Sequence, residues 1–223
     1  MKIHFVRHGD PDYTTDTLTE SGRAEAKCLS EYLATIPVDL LYTSPIPRAR
    51  ETASYTESLL EKEAVVLDWA EEIKLEAPDG SDFMAWYMSP EHYRDENYNK
   101  IEDWNKKRSV IEQSSDDWIE SLGWKKNSHL YHFQPDKNIS KDIQVVLFSH
   151  GGIGLTWIAH LLQIPYHVMW SSFFLHTSSM TTILFDERTT DKATPRIIGF
   201  SNLPHLHKDG LKPSRTGIKA NYL

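Results

Sequence analysis

The sequence is poor in cysteine and contains no long apolar run, and both features restrict the kind of protein it encodes. One cysteine among 223 residues, Cys28, excludes an internal disulfide and fits a reducing compartment. No apolar run reaches the roughly 20 residues that a membrane-spanning helix needs. The first residues lead directly into an apolar, strand-like segment instead of a signal peptide. We therefore expect a cytoplasmic protein that does not associate with membranes.

Positive charge is also in the minority. Lysine and arginine together number 24 against 32 aspartates and glutamates, which gives a net charge of -8 and a pI near 5.7. This balance argues against nucleic acid as a partner, although local arginines can still bind a small anionic substrate. A hydrophobic fraction of 39% and a charged fraction of 25% are typical of a globular domain, here one large domain or a domain with an insertion.

The eleven histidines are not accompanied by a recognisable metal-binding motif. The sequence lacks a cysteine cluster and a His-Glu-x-x-His helix, which are common patterns of zinc sites. The remaining candidate ligands are His129 with His132 and His205 with His207, and we interpret them as surface histidines. We therefore predict no metal and no other cofactor.

Two apolar runs end in a histidine followed by glycine. The run at residues 3–6 ends in Arg7 and His8, and the run at residues 142–148 leads to His150. The second run is nearly continuous, which indicates a strand buried on both faces, as in a parallel sheet. Reactive groups of open α/β sheets collect beyond the carboxyl ends of their strands. Two histidines delivered to such positions indicate a functional site more strongly than one.

The intervening patterns predict alternating strands and helices. Further strands are expected at residues 38–42, 64–67, 180–185 and 196–200, and a helix at residues 155–164. Two more helices are expected to begin after Thr19 and after Ser44, which are candidate N-caps. The tail from residue 201 onward has no clear period, and we expect part of it to be loosely held.

Arg48 follows a predicted strand and lies near the beginning of a predicted helix. The N-terminus of a helix favours anions because its amide groups and its dipole both attract negative charge. Arg48 is therefore either a surface charge or a phosphate-binding residue, and Arg50 is the alternative for the same role.

The pattern changes between about residues 78 and 141. Strand-like runs fade, and aromatic residues such as Trp86, Trp104 and Trp118 occur among charges. We interpret this interval as a mainly helical insertion. Its aromatic residues favour a small satellite core, while a substrate entrance or the interface of a homodimer stays open.

Four segments resemble the histidine phosphatase superfamily, also called phosphoglycerate mutase-like. They are the Arg-His-Gly motif at residues 7–9, the Leu-Thr-x-x-Gly helix opening at 18–23, the Ser-Pro-x-x-Arg-Ala segment at 44–53 and the second histidine segment at 149–152. These motifs cover about the first 75 residues and the chain from Val145 onward, but not the insertion. The resemblance implies one domain over residues 1–223, built as a three-layer α/β/α sandwich with a mostly parallel sheet.

The resemblance also implies roles for individual residues. His8 would be the nucleophile, which becomes transiently phosphorylated, and Glu72 matches the position of the proton donor. The family often places that donor in a Leu-x-Glu pattern, but here the sequence reads Ala70-Glu71-Glu72, so a neighbouring carboxylate stays an alternative. The phosphate pocket would comprise Arg7, Arg48, His150, Gly151 and Thr14.

The sequence departs from the family pattern at two positions. The acid phosphatase branch carries an aspartate directly after the second histidine, where this chain has Gly151, so that branch does not fit. Many members carry an asparagine where this chain has Thr14, a smaller group that can still donate one hydrogen bond.

The resemblance and the chemistry of these residues together predict a metal-independent phosphomonoesterase. A neutral imidazole can attack phosphorus, two arginines can bind the equatorial oxygens, and a carboxylic acid can protonate the leaving alkoxide. The expected partner is a small phosphorylated substrate. Two alternatives stay open: a catalytically silent member that binds phosphorylated ligands or proteins, and a phosphotransferase of the phosphoglycerate mutase type.

Overall fold

The computed structural model describes residues 1–73 and 102–218, which form ten strands and six α-helices. The strands are β1 (Lys2–Arg7), β2 (Pro11–Asp12), β3 (Thr17–Leu18), β4 (Leu40–Thr43), β5 (Ala64–Val66), β6 (Trp124–Asn127), β7 (Leu130–Phe133), β8 (Gln144–Ser149), β9 (Met180–Thr189) and β10 (Lys192–Asn202). The helices are α1 (Glu20–Leu33), α2 (Pro47–Leu60), α3 (Glu102–Ser121), α4 (Gly151–Leu162), α5 (Tyr166–Ser172) and α6 (Pro204–Lys208). Short 3-10 helices occupy Asp68–Ala70 and Pro135–Lys137.

Eight of the strands form one mixed sheet in the order β5-β4-β8-β1-β9-β10-β7-β6. The four strands from β5 to β1 are parallel, and the strands from β9 to β6 extend the sheet in antiparallel fashion. β2 and β3 form a separate two-stranded ribbon. The predicted α/β fold with a parallel core is therefore confirmed, and the antiparallel extension is an addition to it.

Helices cover both faces of the sheet and produce the expected three layers. Ile3, Phe5 and Leu147 face one side, where they join a core that includes residues of α3 and α4. Alternate residues of the same strands, such as Val6 and Val146, face the opposite side and join residues of α1 and α2. This alternation follows from the period of two along a strand, and it explains why β1 and β8 are apolar at nearly every position.

The strand register brings three carboxyl ends to the same edge. Arg7 of β1 lies opposite Ser149 of β8, and Thr43 of β4 lies opposite Phe148 of β8. The residues that follow these strands are therefore neighbours, although the third of them lies more than 100 positions after the other two in the sequence. They are His8, Ser44 and His150.

The helix starts confirm one predicted cap and correct another. Thr19 caps α1 as predicted, since its hydroxyl oxygen accepts the amide hydrogen of Gly22 at 3.0 Å. The prediction for Ser44 is wrong: α2 begins at Pro47, and Ile46 precedes it without a side-chain cap. Ser44 lies two residues before Ile46, whose amide hydrogen its hydroxyl oxygen accepts at 3.2 Å, and the same hydroxyl also contacts His150.

The interval from 78 to 141 lies partly outside the described residues. Its described part contains the long helix α3, followed by a hairpin of β6 and β7 that the sequence did not predict. Trp118, Trp124 and Tyr131 are buried in the main core, which corrects the expectation of a separate satellite core. No helix in the described ranges combines the length and the apolar character that crossing a membrane requires.

Candidate active site

His8 lies at the end of β1 with its ring orientation set by the backbone. Its Nδ1 contacts the carbonyl oxygen of Gly9 at 2.7 Å. A carbonyl oxygen only accepts hydrogen bonds, so the proton resides on Nδ1. In the neutral ring the lone pair then belongs to Nε2, which accepts a hydrogen bond from Arg48 Nε at 3.2 Å. The arrangement presents an unprotonated nitrogen to a cationic side chain.

Two buried arginines flank this nitrogen from different elements. Arg48, near the start of α2, also pairs through Nη1 with Asp16. Arg7, at the end of β1, donates from Nη1 to the carbonyl oxygen of Leu175 at 2.5 Å, and its guanidinium lies 5.7 Å from the ring centroid of Phe174. Both guanidinium groups are therefore oriented by the protein itself before any anion arrives.

His150 completes the group from the end of β8. Its ring centroid lies 5.1 Å from that of His8, and its Nε2 contacts the hydroxyl of Ser44 at 2.8 Å. Nδ1 of His150 and Nε of Arg7 are buried nitrogens without a hydrogen-bond partner among the described residues. Buried polar atoms normally have partners, so nitrogens left unpaired at one location indicate a ligand site.

The surroundings favour the neutral form of both histidines. Burial lowers the pKa of His8 well below its ordinary value, and Arg7 and Arg48 lower it further against the opposing effect of the Gly9 carbonyl. Burial, followed by the proximity of His8 and both arginines, lowers the pKa of His150. A site that combines two charged arginines with two neutral imidazoles is suited to binding an anion.

Glycines at the start of α4 allow the close packing of this site. A Cβ at Gly151 would lie 3.4 Å from Cζ of Arg7, so the helix start is in contact with the guanidinium. A Cβ at Gly152 would lie 2.8 Å from Oε1 of Glu72, closer than real Cβ contacts allow. Gly152 therefore permits a carboxylate to approach the helix N-terminus directly.

Glu72 lies across the first turn of α4. Its Oε1 accepts the amide hydrogens of Ile73 and Ile153 at 3.0 Å each, and its Oε2 accepts that of Gly152 at 3.4 Å. Glu72 also lines a cleft of about 970 Å³, together with Arg48. The other lining residues are Tyr13, Asp16, Ile46, Asp68, Trp69, Glu71, Ile73, Lys106, Lys107, Val110 and Ile111.

The structure brings most of the predicted site residues together, but it does not bring Thr14 to them. It brings Arg7, His8, Arg48 and His150 together, with the backbone of Gly151 against Arg7 and the carboxyl group of Glu72 at the adjoining cleft. The exposed Thr14, in contrast, turns its hydroxyl toward Asp12, to which it donates at 2.5 Å.

Sequence reasoning missed Asp16, Ser44 and Leu175. Asp16 pairs with Arg48, Ser44 contacts His150, and Leu175 offers its carbonyl oxygen to Arg7. The only feature of the sequence that could have indicated Ser44 is its position directly after β4, the strand next to β8. The contact of Leu175 uses its backbone carbonyl oxygen, which every residue has, so the sequence could not have indicated it. Among the residues that the structure describes, no three His, Cys, Asp or Glu side chains are grouped closely enough to hold a metal ion.

Comparison with known proteins identifies the family to which this chain belongs. A model of the histidine phosphatase superfamily (branch 1) matches residues 3–195. A search of curated protein sequences finds no significant match. Many solved structures share the fold.

The phosphoserine phosphatase of Entamoeba histolytica, solved with 3-phosphoglyceric acid, is 22% identical, with a TM-score of 0.62 over 92% of this chain and 98% of that one. The mycobacterial glucosyl-3-phosphoglycerate phosphatase with inorganic phosphate is 19% identical, with a TM-score of 0.64 over the same shares. YhfR of Bacillus stearothermophilus is 18% identical, with a TM-score of 0.62 over 92% and 98%. These TM-scores establish similarity of fold alone, and the family match over most of the chain establishes that it belongs to branch 1 of the histidine phosphatase superfamily.

Proposed function

We propose that the protein is a metal-independent phosphomonoesterase that forms a phosphohistidine at His8. The observation that carries this proposal is the unprotonated Nε2 of His8 in contact with Arg48, beside unpaired buried nitrogens of Arg7 and His150. A site that only bound phosphate would have no need of a nucleophilic nitrogen at its centre. The site thus combines an acceptor for the phosphoryl group with donors for its oxygens.

The phosphate oxygens would be bound by the two arginines and His150. On binding, a phosphate oxygen replaces His8 Nε2 as the partner of Arg48 Nε, which exposes the lone pair for in-line attack. Arg7 Nε and His150 Nδ1 gain the partner that they lack. Guanidinium charge takes the part that Mg²⁺ plays in many other phosphoryl transfer enzymes.

Two displacements account for hydrolysis. In the first, the bond between Nε2 of His8 and phosphorus forms as the bond to the leaving oxygen breaks, and Glu72 gives its proton to the departing alkoxide. The Nδ1 proton of His8 stays in place, so the phosphorylated ring carries a positive charge. In the second, Glu72 removes a proton from a water molecule, which attacks phosphorus and releases His8 and inorganic phosphate.

Glu72 is preferred to Glu71 as the proton donor because of its fixed position. Both residues line the cleft next to Arg48, but Glu72 is bound to backbone amides at the start of α4. Glu71 is exposed. A proton donor has to be within hydrogen-bond reach of the leaving oxygen, which a carboxyl group held by backbone amides achieves more readily than an exposed one.

The cleft supports a small phosphate ester as the substrate. Its volume of about 970 Å³ exceeds what a phosphate group needs, and its wall combines Trp69 and Val110 with Lys106 and acidic residues. Related folds include phosphatases named for phosphoserine and glucosyl-3-phosphoglycerate, which are phosphate esters of small polar metabolites. We propose a substrate of this general class, acted on in a reducing compartment such as the cytoplasm.

The first experiment is hydrolysis of para-nitrophenyl phosphate in the presence of excess chelator. We expect chelator-resistant turnover by the wild-type protein and a loss of about 10³-fold or more in His8→Ala, because the nucleophile is removed. His207→Ala, an exposed histidine in α6, is the matched control and should behave as wild type. A phosphorylated His8 should be detectable by mass spectrometry after rapid quenching.

Each unfavourable result has a distinct meaning. Turnover that survives His8→Ala contradicts the phosphohistidine mechanism. Binding of inorganic phosphate without turnover of para-nitrophenyl phosphate or of a panel of natural phosphate esters would instead identify a protein that only binds phosphorylated ligands.

A further inference from the structure

Glu25 is a buried carboxyl group outside the set of residues described above. It lies in α1 and is 1% exposed. Its Oε2 accepts the amide hydrogen of Asp10 at 3.0 Å. Buried carboxyl groups are rare because their desolvation is costly, so a Glu at this position calls for a physical reason.

Glu25 is connected to the nucleophile through a single peptide group. The carbonyl oxygen of Gly9 and the amide hydrogen of Asp10 belong to the same planar unit and point in opposite directions. The oxygen accepts the Nδ1 proton of His8 at 2.7 Å, while the hydrogen is donated to Glu25. The chain of contacts therefore runs from the carboxyl group through the peptide plane to the imidazole.

The rest of the turn is held in place by other elements. The amide hydrogen of Gly9 is donated to Thr52 Oγ1 at 3.0 Å, and the carbonyl oxygen of His8 accepts the amide hydrogen of Ser178 at 2.9 Å. A Cβ at Gly22 would lie 2.2 Å from the carbonyl oxygen of Asp10, so α1 is in backbone contact with the turn. Among these contacts, only the hydrogen bond to Glu25 can bring a negative charge next to the peptide group.

A negative charge at Glu25 would favour the phosphorylated state of His8. It polarises the peptide group, so the Gly9 oxygen becomes a stronger acceptor for the Nδ1 proton. When Nε2 bonds to phosphorus, the ring becomes positively charged while keeping that proton. The stronger acceptor then stabilises the developing charge, and low local polarity makes the effect larger than it would be in water.

We propose that Glu25 is a positioning residue for His8, which orients and polarises the Gly9–Asp10 peptide so that His8 can accept a phosphoryl group. This inference rests on the proposed phosphohistidine function. Glu25 itself does not touch the substrate, and its influence reaches the reaction only through the peptide.

The protonation state of Glu25 makes the proposal testable over an accessible pH range. Burial raises the pKa of Glu25 to about 7, and the facing carboxylate of Asp10 adds to this effect. The hydrogen bond from the Asp10 amide and the hydroxyls of Ser178 and Thr177 act in the opposite direction. His205, whose Nε2 contacts the Ser178 hydroxyl at 3.1 Å, is a further titratable group beside this segment. The charge on Glu25 should therefore appear as the pH rises through about 7.

Two substitutions separate charge from geometry. Glu25→Gln keeps an oxygen that can accept the Asp10 amide hydrogen but removes the charge, whereas Glu25→Ala removes both. Glu20→Gln is the matched control, because Glu20 is an exposed residue of the same helix. The probes are kcat for para-nitrophenyl phosphate between pH 5 and pH 9 and the ¹⁵N resonances of the His8 ring.

We expect Glu25→Gln to lower kcat above pH 8 by about 10-fold, the effect of losing one charge-assisted contact. The component of the wild-type kcat profile that rises near pH 7 should disappear in this variant. Glu25→Ala should lower kcat by about 100-fold, since a misoriented nucleophile adds to the loss of charge. In Glu25→Ala, the Nδ1 proton of His8 should exchange faster with water. Glu20→Gln should resemble wild type in both measurements.

The opposite results would overturn the proposal. A wild-type kcat and pH profile in Glu25→Gln excludes the role of charge. A loss in Glu25→Ala that is proportional to its unfolded fraction, with unchanged ring resonances, reduces Glu25 to a structural residue. If the wild-type protein turns over no phosphate ester, the proposed function fails, and the His8 resonances with inorganic phosphate still decide whether Glu25 acts on the ring.

Discussion

At the scale of single residues, Glu25 links the stability of the fold to pH. The pKa of its carboxyl group is about 7 in the folded protein, against an ordinary value of 4.5. Between these two values the folded chain holds a proton that the unfolded chain has released. The contribution of Glu25 to stability therefore falls as the pH rises from below 4.5 to above 7, because at this group the folded state binds more protons in this range.

The corresponding prediction concerns Glu25→Gln. A shift of this size is equivalent to about 3 kcal/mol in the free energy of unfolding. We expect the wild-type protein to lose stability between pH 5 and pH 8 relative to Glu25→Gln, by up to that amount, in urea unfolding at the two pH values. The exposed Glu20→Gln should follow wild type, and equal losses in Glu25→Gln and wild type would contradict the prediction.

At the scale of secondary-structure elements, α3 and α4 are joined by a buried hydrogen bond. The indole Nε1 of Trp157 donates to Ser115 Oγ at 2.6 Å, and both side chains are fully buried. Ser115→Ala would leave the indole hydrogen without a partner inside the core. We expect a loss of about 1–3 kcal/mol in the free energy of unfolding measured with urea.

Ser109→Ala provides the comparison within the same helix. Its hydroxyl is exposed and bonded to the carbonyl oxygen of Asn105, so its removal should change stability by less than about 0.5 kcal/mol. A Ser115→Ala protein as stable as Ser109→Ala would show that the contact between the helices does not depend on this hydrogen bond.

The elements also differ in how well their sequences predict them. β8 is almost continuously apolar, and its prediction was accurate to within two residues at its start. β6 and β7 are four residues long and carry Lys125, Lys126 and His132 among their apolar positions. Lysines are typical of edge strands such as β6, and the pairing of β7 with β10 depends on residues some 60 positions away. Local periodicity contains no information about that pairing.

At the scale of the whole molecule, the C-terminal segment is attached to the loop that follows His8. The hydroxyls of Ser214 and Thr216 both donate to Asp10 Oδ1 at 2.5 Å. A Cβ at Gly217 would lie 3.8 Å from Arg7 Nη2, so this segment passes beside the Arg7 guanidinium. The sequence alone predicted a loosely held tail here, because the segment has no apolar period.

We expect Ser214→Ala combined with Thr216→Ala to release this segment. Hydrogen exchange of the amides at residues 211–218 should become about 10-fold faster or more, since hydrogen bonds to a charged group are lost. The melting temperature should change little, because the segment contributes few residues to the core. Ser54→Ala, an exposed serine in α2, is the control, and unchanged exchange in the double variant would contradict the attachment.

The features that the sequence predicts correctly are those that depend only on residues close together in the chain. Apolar runs ending in His8 and His150 predicted strands that deliver reactive groups to one edge, and Arg48 was predicted beside a helix start. These features are local, because burial on both faces, turning at glycine and capping each involve only a few consecutive residues.

Which side chains of the site contact each other becomes clear only from the tertiary structure. The hydroxyl of Ser44 contacts His150, Asp16 rather than Thr14 approaches Arg48, and Glu25 reaches the peptide behind His8. Each of these contacts joins segments whose approach depends on the register of the sheet and on the packing of helices across it. A side chain's own neighbours in sequence do not determine that approach, and for this reason it became visible only in the folded chain.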